Sequence, residues 1–399
     1  MIVGEVAPGL ETVRDAFERC FSDLGETGAS FAAILDGRVV VDLRGGDGIR
    51  RDSLVNVYSV TKPMAACCVL VLVDRGALSL EDAVSRHWPE FAQAGKRGVT
   101  VRQLLSHQAG LVALREPHPT GAMFDWARIC ELLAAEAPWW EPGTAHGEHA
   151  LFYGHLCGEL VRRIDDRTLG TFWREEVAEP WSLDFVIGLR AAEQARAVDL
   201  TGVLPAAEDE EGLYARAVGN PPCLRDMAVV NGERWRAAEI PAVNGHGNAL
   251  AVARFYAGLL AGGQLDGVRL LSPGIVETMT AGEMTGPDLV FEDEVTWGLG
   301  VIVDSDGYGM GGLGGSLGWA DPRLGLAEAY VTRSMRDHAR SGRQLHGGRR
   351  GHDEGVFQTP SLRRRTTPTI KSLVSRSSET GLSLSTTTSM TTAAAASTP

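Results

Sequence analysis

Apolar residues near the N-terminus recur at helical spacing and then give way to short runs that are typical of strands. In residues 11–24 the apolar positions lie three or four residues apart, which predicts an amphipathic helix. Residues 31–35 and 38–43 are rich in β-branched and other apolar side chains that favour strands, and the Asp-Gly pair between them is the strongest short hairpin signal. The pattern therefore predicts a helix followed by a β-hairpin.

Helical patterns dominate the middle of the chain, and strand-like runs return near its end. The middle favours helices at 80–88, 101–106, 125–135, 149–164 and 168–177. The acidic segment 205–220 lacks a regular spacing of apolar positions, which predicts an exposed loop. Residues 249–260 are helical again, and residues 290–303 and 326–332 resemble strands. Strands therefore come from both ends of the chain and helices from its middle.

The apolar residues 64–74 follow a segment that carries candidate chemistry. Ser59 and Thr61 are good capping residues, and Pro63 suits a first helical turn, so we expect a helix to begin close to Ser59. Ser59 and Lys62 are three residues apart and share one helical face. A half-buried lysine can lose its proton and act as the base for a serine nucleophile. The alternative interpretation is that Ser59 only caps the helix and Lys62 is a solvated charge.

Composition supports the base role of Lys62. The 399 residues are 44% hydrophobic, so the chain can bury a large core. Of its 38 basic residues only three are lysines, namely Lys62, Lys96 and Lys371. Because arginine cannot be deprotonated in a protein, a lysine at this place indicates a need for the neutral form.

The net charge of −13 argues against a general nucleic-acid surface.

Location and cofactors follow from what the sequence lacks. The N-terminus has no basic segment followed by an apolar run, and no stretch of about 18 apolar residues could span a membrane, so we expect a cytoplasmic protein. The six cysteines show no paired metal spacing and are expected to be reduced thiols. The histidines are scattered, so we expect neither a metal nor a cofactor.

Five motifs resemble those of serine hydrolases with a β-lactamase fold, on the side of the esterases related to class C β-lactamases and D-peptidases. The motifs are SVTK at 59–62, VRQLLSHQAGL at 101–111, EPGT at 141–144, NGHGNA at 244–249 and GGLGGS at 311–316. The resemblance spans about residues 11–332. It implies an α/β (α+β) fold, β-lactamase/transpeptidase-like, in which an antiparallel sheet flanked by helices meets a mostly helical domain at the active site.

The same resemblance implies the domain limits. We expect one hydrolase domain over residues 1–335, with a sheet part at about 1–62 and 245–335 and a helical part at about 63–244. From residue 336 to 399 the chain carries ten Lys or Arg against four Asp or Glu, hardly any aromatic residues and a run of Ser, Thr and Ala. Such a composition cannot build a core, so these residues are expected to form a disordered basic tail.

The resemblance also implies an acyl-enzyme on Ser59 and a proton relay through Lys62. We expect a carboxylic ester hydrolase that acts on small esters, with an oxyanion hole formed by the backbone N–H groups of Ser59 and Leu313. Its partner is then a small-molecule ester. The alternatives are an acyltransferase, a weak β-lactamase or D-peptidase on the same scaffold, and a catalytically degraded binding protein.

Two positions depart from the family pattern. Where the family places a tyrosine that shares the proton transfer with the lysine, this chain has Glu148. Where the family commonly has His or Lys before the glycines of its last motif, this chain has Met310. The Glu148 carboxylate either accepts a proton in place of the phenol or holds Lys62 in its charged form. Tyr153 is about 140° around a helix from Glu148, so we do not expect it to substitute.

Three further residues have two interpretations each. Ser316 lies in a G-x-S-x-G pattern, but no convincing helix follows it, so it is a weak second candidate for the nucleophile. His107 is expected to satisfy buried backbone groups near the turn at Gly110. Asn248 bonds either a loop or a substrate, and we expect the loop.

Overall fold

The fold is described from a computed structural model, which describes residues 1–202 and 212–335. Part of the expected acidic loop and the whole expected tail, residues 336–399, lie outside the described residues. The strands are β1 Ile2–Val6, β2 Gly28–Leu35, β3 Arg38–Gly46, β4 Leu54–Asn56, β5 Phe185–Ile187, β6 Ala197–Val198, β7 Gly245–Gly247, β8 Gln264–Leu265, β9 Val268–Arg269, β10 Met284–Pro287, β11 Glu294–Trp297, β12 Ile302–Asp304, β13 Gly307–Gly311, β14 Leu317–Asp321 and β15 Leu326–Thr332.

Thirteen α-helices accompany these strands in the described residues. They are α1 Glu11–Ser22, α2 Lys62–Asp74, α3 Val84–His87, α4 Val101–Leu105, α5 Trp126–Ala135, α6 Tyr153–Asp165, α7 Leu169–Trp173, α8 Ala191–Gln194, α9 Leu213–Gly219, α10 Met227–Val230, α11 Glu233–Ala237, α12 Ala249–Leu260 and α13 Pro273–Thr280. A π-helical turn, Arg174–Ala178, continues α7.

Nine strands form one antiparallel sheet in the order β1-β3-β2-β15-β14-β13-β12-β11-β10. Strands from the two ends of the chain meet where β2 pairs with β15, as the sequence pattern predicted. Helix α12 packs on one face of the sheet against β2, β14 and β15. Helix α1 covers the other face, where Val13 and Phe17 pack with Phe31 and Leu43. The expected antiparallel sheet flanked by helices is confirmed.

The predicted hairpin is confirmed in detail. Leu35 pairs with Arg38, which leaves a two-residue turn between β2 and β3. Asp36 and Gly37 both have positive φ, 47° and 75°, as a type I′ turn requires. Helices α1 and α12 and strand β15 also form where their patterns predicted them.

Other predictions were too long or wrong. The strand expected at 290–303 is broken into β11 and β12 by a turn that includes Gly300, whose φ is 79°. The helix expected at 149–164 begins only at Tyr153, and the one at 80–88 is a single turn, α3. The described part of the expected acidic loop contains a helix, α9, so the loop prediction is wrong there.

Helix α2 is the centre of the core. Every residue from Lys62 to Leu72 is buried, and the helix packs against α6, α7, α13 and β13. A helix that is apolar all round must be enclosed by other elements, which explains the absence of a polar face. All six cysteines are buried and none forms a disulfide, and Cys67 and Cys68 lie inside this helix. None of the described helices is both long and apolar enough to span a bilayer.

Candidate active site

Ser59 lies in a 3₁₀ turn, Tyr58–Thr61, between β4 and α2. A helical segment therefore begins close to Ser59, as expected, but its first turn is 3₁₀ and the α-helix begins at Lys62. Neither the Ser59 hydroxyl nor the Thr61 hydroxyl caps α2. The Thr61 side chain donates to the Tyr58 carbonyl at 2.6 Å and accepts from the Gly245 N–H at 2.9 Å, so it fastens the turn to β7.

The residue before Ser59 has an unusual backbone. Tyr58 has φ of 47°, which is rare for a bulky residue. Its side chain is buried, and its phenol donates to the Leu224 carbonyl at 2.9 Å. The surrounding protein thus holds Tyr58 in this conformation and leaves Ser59 partly exposed at the surface of the turn. Nothing in the local sequence signals this conformation, since glycine is the residue that usually adopts it.

Lys62 is enclosed by oxygen atoms and has no exposed surface. Its Nζ lies 2.8 Å from Ser59 Oγ and 3.0 Å from Glu148 Oε1. The same Nζ donates to the carbonyls of Ala150 at 3.0 Å and Ala242 at 3.3 Å. The interpretation of Lys62 as a solvated charge is therefore wrong.

The protonation of Lys62 reflects two opposing influences. Burial lowers the pKa of Lys62, while the charge of Glu148 and the contact with it raise this pKa, and burial has the larger effect. An ammonium has three N–H donors, but four oxygen atoms surround this one. Three of these contacts, to Ser59 Oγ and to the carbonyls of Ala150 and Ala242, are hydrogen bonds, whereas Glu148 Oε1 lies at ion-pair distance and receives no hydrogen bond.

Glu148 stands where the family tyrosine was expected. Its side chain is 5% exposed and faces the equally buried Lys62. Tyr153 does not take its place, because the Tyr153 phenol is buried and donates to the Leu105 carbonyl at 2.9 Å. The structure thus brings Ser59, Lys62 and Glu148 together and directs Tyr153 elsewhere.

Two neutral histidines support the segment that carries Glu148. His149 Nε2 accepts from the Leu111 N–H at 3.2 Å, so its Nδ1 carries the proton and donates to His107 Nδ1 at 3.0 Å. His107 Nδ1 also accepts from the His149 N–H at 3.0 Å. Burial lowers the pKa of His149 to about 3 and that of His107 well below its usual value. His107 thus satisfies a buried backbone N–H, as expected, but it is that of His149, and the N–H beside Gly110 is satisfied by His149.

The end of β13 lies against the turn that carries Ser59. A Cβ atom added to Gly312 would lie 2.1 Å from the Val57 carbonyl oxygen, so only glycine allows this approach. Leu313 follows directly and is partly buried. Within the described residues, neither the Ser59 nor the Leu313 N–H donates a hydrogen bond. Two free N–H groups thus lie on segments that are in direct contact.

Met310 has no chemical role in this arrangement. Its side chain is buried at 1% exposure and packs with Trp297, Ile302, Leu317 and Trp319. Met310, where the resemblance implied a departure from the usual His or Lys, is thus a packing residue.

Ser316 and Asn248 are structural. Ser316 lies between β13 and β14, so the strand-to-helix turn that the G-x-S-x-G pattern needs is absent here. Its hydroxyl is buried and accepts from the Thr332 N–H at 3.2 Å. Asn248 caps α12 by accepting from the Ala251 N–H at 2.9 Å. Within the described residues, no group of His, Cys, Asp or Glu could hold a metal ion.

The fold and the motifs together define the class of the protein. The chain belongs to the beta-lactamase family, whose sequence profile matches residues 15–347. Among its relatives is the esterase/beta-lactamase LipL of Mycobacterium tuberculosis, which is 34% identical over 375 residues that cover 85% of this chain and 86% of LipL. The resemblance inferred from the five motifs is confirmed.

Solved structures agree with this assignment. A family VIII carboxylesterase superimposes with a TM-score of 0.82 at 36% identity, covering 94% of this chain and 100% of that enzyme. A penicillin-binding protein homologue from Caulobacter crescentus superimposes with a TM-score of 0.77 at 40% identity, covering 84% of this chain and 94% of the homologue. The expected β-lactamase-like fold is thus confirmed over most of the chain.

Proposed function

We propose that this protein is a carboxylic ester hydrolase that acts on small esters through an acyl-enzyme on Ser59. The observation that carries the proposal is the partly exposed Ser59 hydroxyl, 2.8 Å from the fully buried Lys62 Nζ. The names of two similar proteins, LipL and the family VIII carboxylesterase, support ester hydrolysis. The substrate is a small-molecule ester, and the reaction as proposed needs no cofactor.

Acylation uses Lys62 and Glu148 as one relay. Ser59 Oγ attacks the ester carbonyl carbon while its proton passes to Lys62 Nζ, and another Nζ proton passes to Glu148 Oε1, 3.0 Å away. One O–H and one N–H bond break, one of each forms, and the negative charge moves to the former carbonyl oxygen. Lys62 remains charged beside that oxyanion, and its lowered pKa eases the transfer.

The oxyanion is stabilised by backbone donors. The free N–H groups of Ser59 and Leu313 are the proposed oxyanion hole. When the carbonyl re-forms, the alkoxide leaves with a proton from Lys62, and Glu148 returns its proton to Lys62. A water molecule then attacks the acyl-enzyme by the same route, releases the carboxylic acid and regenerates Ser59.

A cytoplasmic location belongs to the same proposal. Six buried cysteines without a disulfide are what a reducing compartment favours. Burial raises the pKa of Cys67 to about 12, so that thiol stays protonated and chemically inert.

Covalent labelling tests the proposed function. Incubation with a fluorophosphonate, followed by peptide mass spectrometry, should place the adduct on Ser59. Ser59→Ala should abolish both the adduct and the hydrolysis of short p-nitrophenyl esters. Ser316→Ala is the matched control, since that hydroxyl is buried and bonded, and it should keep most of the activity. A wild-type protein that neither labels nor hydrolyses esters would instead be a binding protein on this scaffold.

A further inference from the structure

A second carboxylate, Asp288, lies behind the proposed relay and is fully buried. Its Oδ1 accepts the backbone N–H groups of Glu148 at 3.3 Å, Val290 at 2.9 Å and Phe291 at 2.9 Å. Its Oδ2 accepts from Trp297 Nε1 at 2.9 Å. One side chain therefore collects four N–H donors from two segments that are far apart in sequence.

Asp288 has no cationic partner among the described residues. Burying a carboxylate without a cation is costly, and hydrogen bonds to N–H groups are the available compensation. A neutral residue would avoid that cost if the site needed only to be filled. What the charge adds is a strong acceptor that reaches the Glu148 backbone.

The Glu148 backbone is held on both sides by this arrangement. Asp288 holds the Glu148 N–H, and His107 holds the next N–H, that of His149. The two supports are joined, because the Trp297 ring that donates to Asp288 packs on the His107 ring with centroids 4.1 Å apart. A further hydrogen bond joins the same two segments: the Leu289 N–H donates to the His146 carbonyl at 3.0 Å.

We propose that Asp288 is a positioning residue for the ester-hydrolysis reaction, and that it keeps the Glu148 carboxylate within proton-transfer distance of Lys62. This inference rests on the proposed function. It assigns catalytic consequence to a residue outside the five family motifs. Asp288 touches neither Ser59 nor Lys62 in the described contacts and acts through Glu148.

Asp288→Asn is the variant that tests this role. The amide keeps one acceptor oxygen, but its NH₂ group would face the Trp297 N–H as a second donor, so the anchor loosens. We expect kcat to fall on the order of 10²-fold, the usual cost of a misplacement of about 1 Å. We also expect a change in the acidic limb of the pH profile, the part in which kcat/KM rises with pH. This limb should move to higher pH, because a displaced Glu148 no longer takes a proton from Lys62 and Lys62 must be neutral before it can act as the base.

The direction of this shift separates positioning from a direct charge effect. Removing a nearby negative charge would by itself lower the pKa of Lys62 and move the limb to lower pH. Among the described residues, the titratable groups that face the pair from the neighbouring segments include His107, His146, His149 and Tyr153. Burial keeps His107 and His149 neutral and raises the pKa of Tyr153 well above its usual value.

A double-mutant cycle completes the test. In a Glu148→Gln background, Asp288→Asn should cost little further activity and should not shift the limb again. A purely structural role would lower kcat and Tm equally in both backgrounds, and that outcome would overturn the proposal. Asp226→Asn is the matched control, because Asp226 also accepts backbone N–H groups, at the start of α10, but is exposed and remote from the relay.

A second variant protects the test against misfolding. Trp297→Phe keeps an aromatic ring against His107 and removes the N–H donor to Asp288 together with one ring of the buried indole, so it should shift the limb in the same direction, with a lower Tm from the lost packing. If neither variant moves the limb while wild-type Ser59 still labels with fluorophosphonate, the positioning role fails and the proposed function stands. If wild-type Ser59 does not label, the proposed function itself fails.

Discussion

Both lysines in the described residues are fully buried, and both donate to backbone carbonyls. Lys96 Nζ donates to the carbonyls of Gln93 at 3.1 Å and Ala134 at 3.1 Å and to that of Glu136. It thereby satisfies carbonyls at the C-terminal end of α5. Both described lysines thus serve as compact donors of three hydrogen bonds, and the proposed mechanism additionally requires proton transfer at Lys62.

Lys62→Arg separates these two needs. Arginine keeps the positive charge but cannot lose a proton, so kcat for ester hydrolysis should fall on the order of 10²–10⁴-fold. Steady-state kinetics and a thermal melt measure the activity and the fold independently. Lys62→Met, which has a similar length and no charge, is the comparison for packing. Near-normal turnover in a folded Lys62→Arg protein would show that charge alone is sufficient.

Glu148→Gln tests whether the carboxylate accepts a proton. Lys62 must then act alone as a neutral base, so the acidic limb of kcat/KM should move to higher pH and the rate at neutral pH should fall on the order of 10²-fold or more. Glu148→Tyr restores the phenol of the family pattern and should be more active than Glu148→Gln. A limb that moves to lower pH with a faster neutral rate would mean that Glu148 holds Lys62 charged and impairs it.

At the level of elements, the reactive turn depends on the strand end beside it. The Gly312 approach to Val57 leaves no room for a side chain, since the clash would be with a backbone oxygen 2.1 Å away. Gly312→Ala should therefore separate the two proposed oxyanion donors and lower kcat/KM on the order of 10²-fold. Gly121→Ala, where an added Cβ meets nothing within 4 Å, should change neither rate nor Tm. Unchanged kinetics in Gly312→Ala would remove Leu313 from the proposed site.

The elements that the sequence predicted well are those with local causes. Helix α12 has a capping Asn248 and an apolar pattern, and the β2–β3 hairpin has its Asp-Gly turn. The 3₁₀ form of the turn around Ser59 was not predicted, because the positive φ of Tyr58 has no local sequence signal and its buried phenol bonds the distant Leu224 carbonyl. Asp288 had no sequence signal, since its four donors include three backbone groups that any residue could supply.

The same limit applies to the site. The three-residue spacing of Ser59 and Lys62 could be recognised from the sequence as a local pattern. The resemblance to the family motifs predicted that Glu148 lies near them. The carbonyls of Ala150 and Ala242 that complete the Lys62 environment belong to the backbone. The amino-acid type at these two positions therefore does not indicate the contact. Only the fold brings them to Nζ.

For the molecule as a whole, buried neutral histidines make stability sensitive to acid. Burial lowers the pKa of His149, His155 and His246 to about 3 each. Below about pH 6.5 the unfolded chain binds protons that the folded chain does not, so stability should fall as the pH drops from about 6.5 towards 3. At pH 5.5 each histidine should lower the free energy of unfolding by about 1 kcal/mol.

Urea unfolding at pH 7.5 and 5.5 measures this loss directly. The free energy of unfolding should be lower at pH 5.5, with an unchanged m-value. Equal free energies at the two pH values would show that these rings are protonated in the folded protein.

The burial of both lysines also makes the folded body resistant to lysine-specific endoproteases. Proline follows Lys62 and blocks cleavage there, so in the described residues the remaining target is the bond between Lys96 and Arg97. Lys96 has no exposed surface, and its ammonium is tied to three carbonyls. That bond can be cut only after the turn around Lys96 opens, so the amount of the 1–96 fragment formed over time counts local openings of this turn under native conditions.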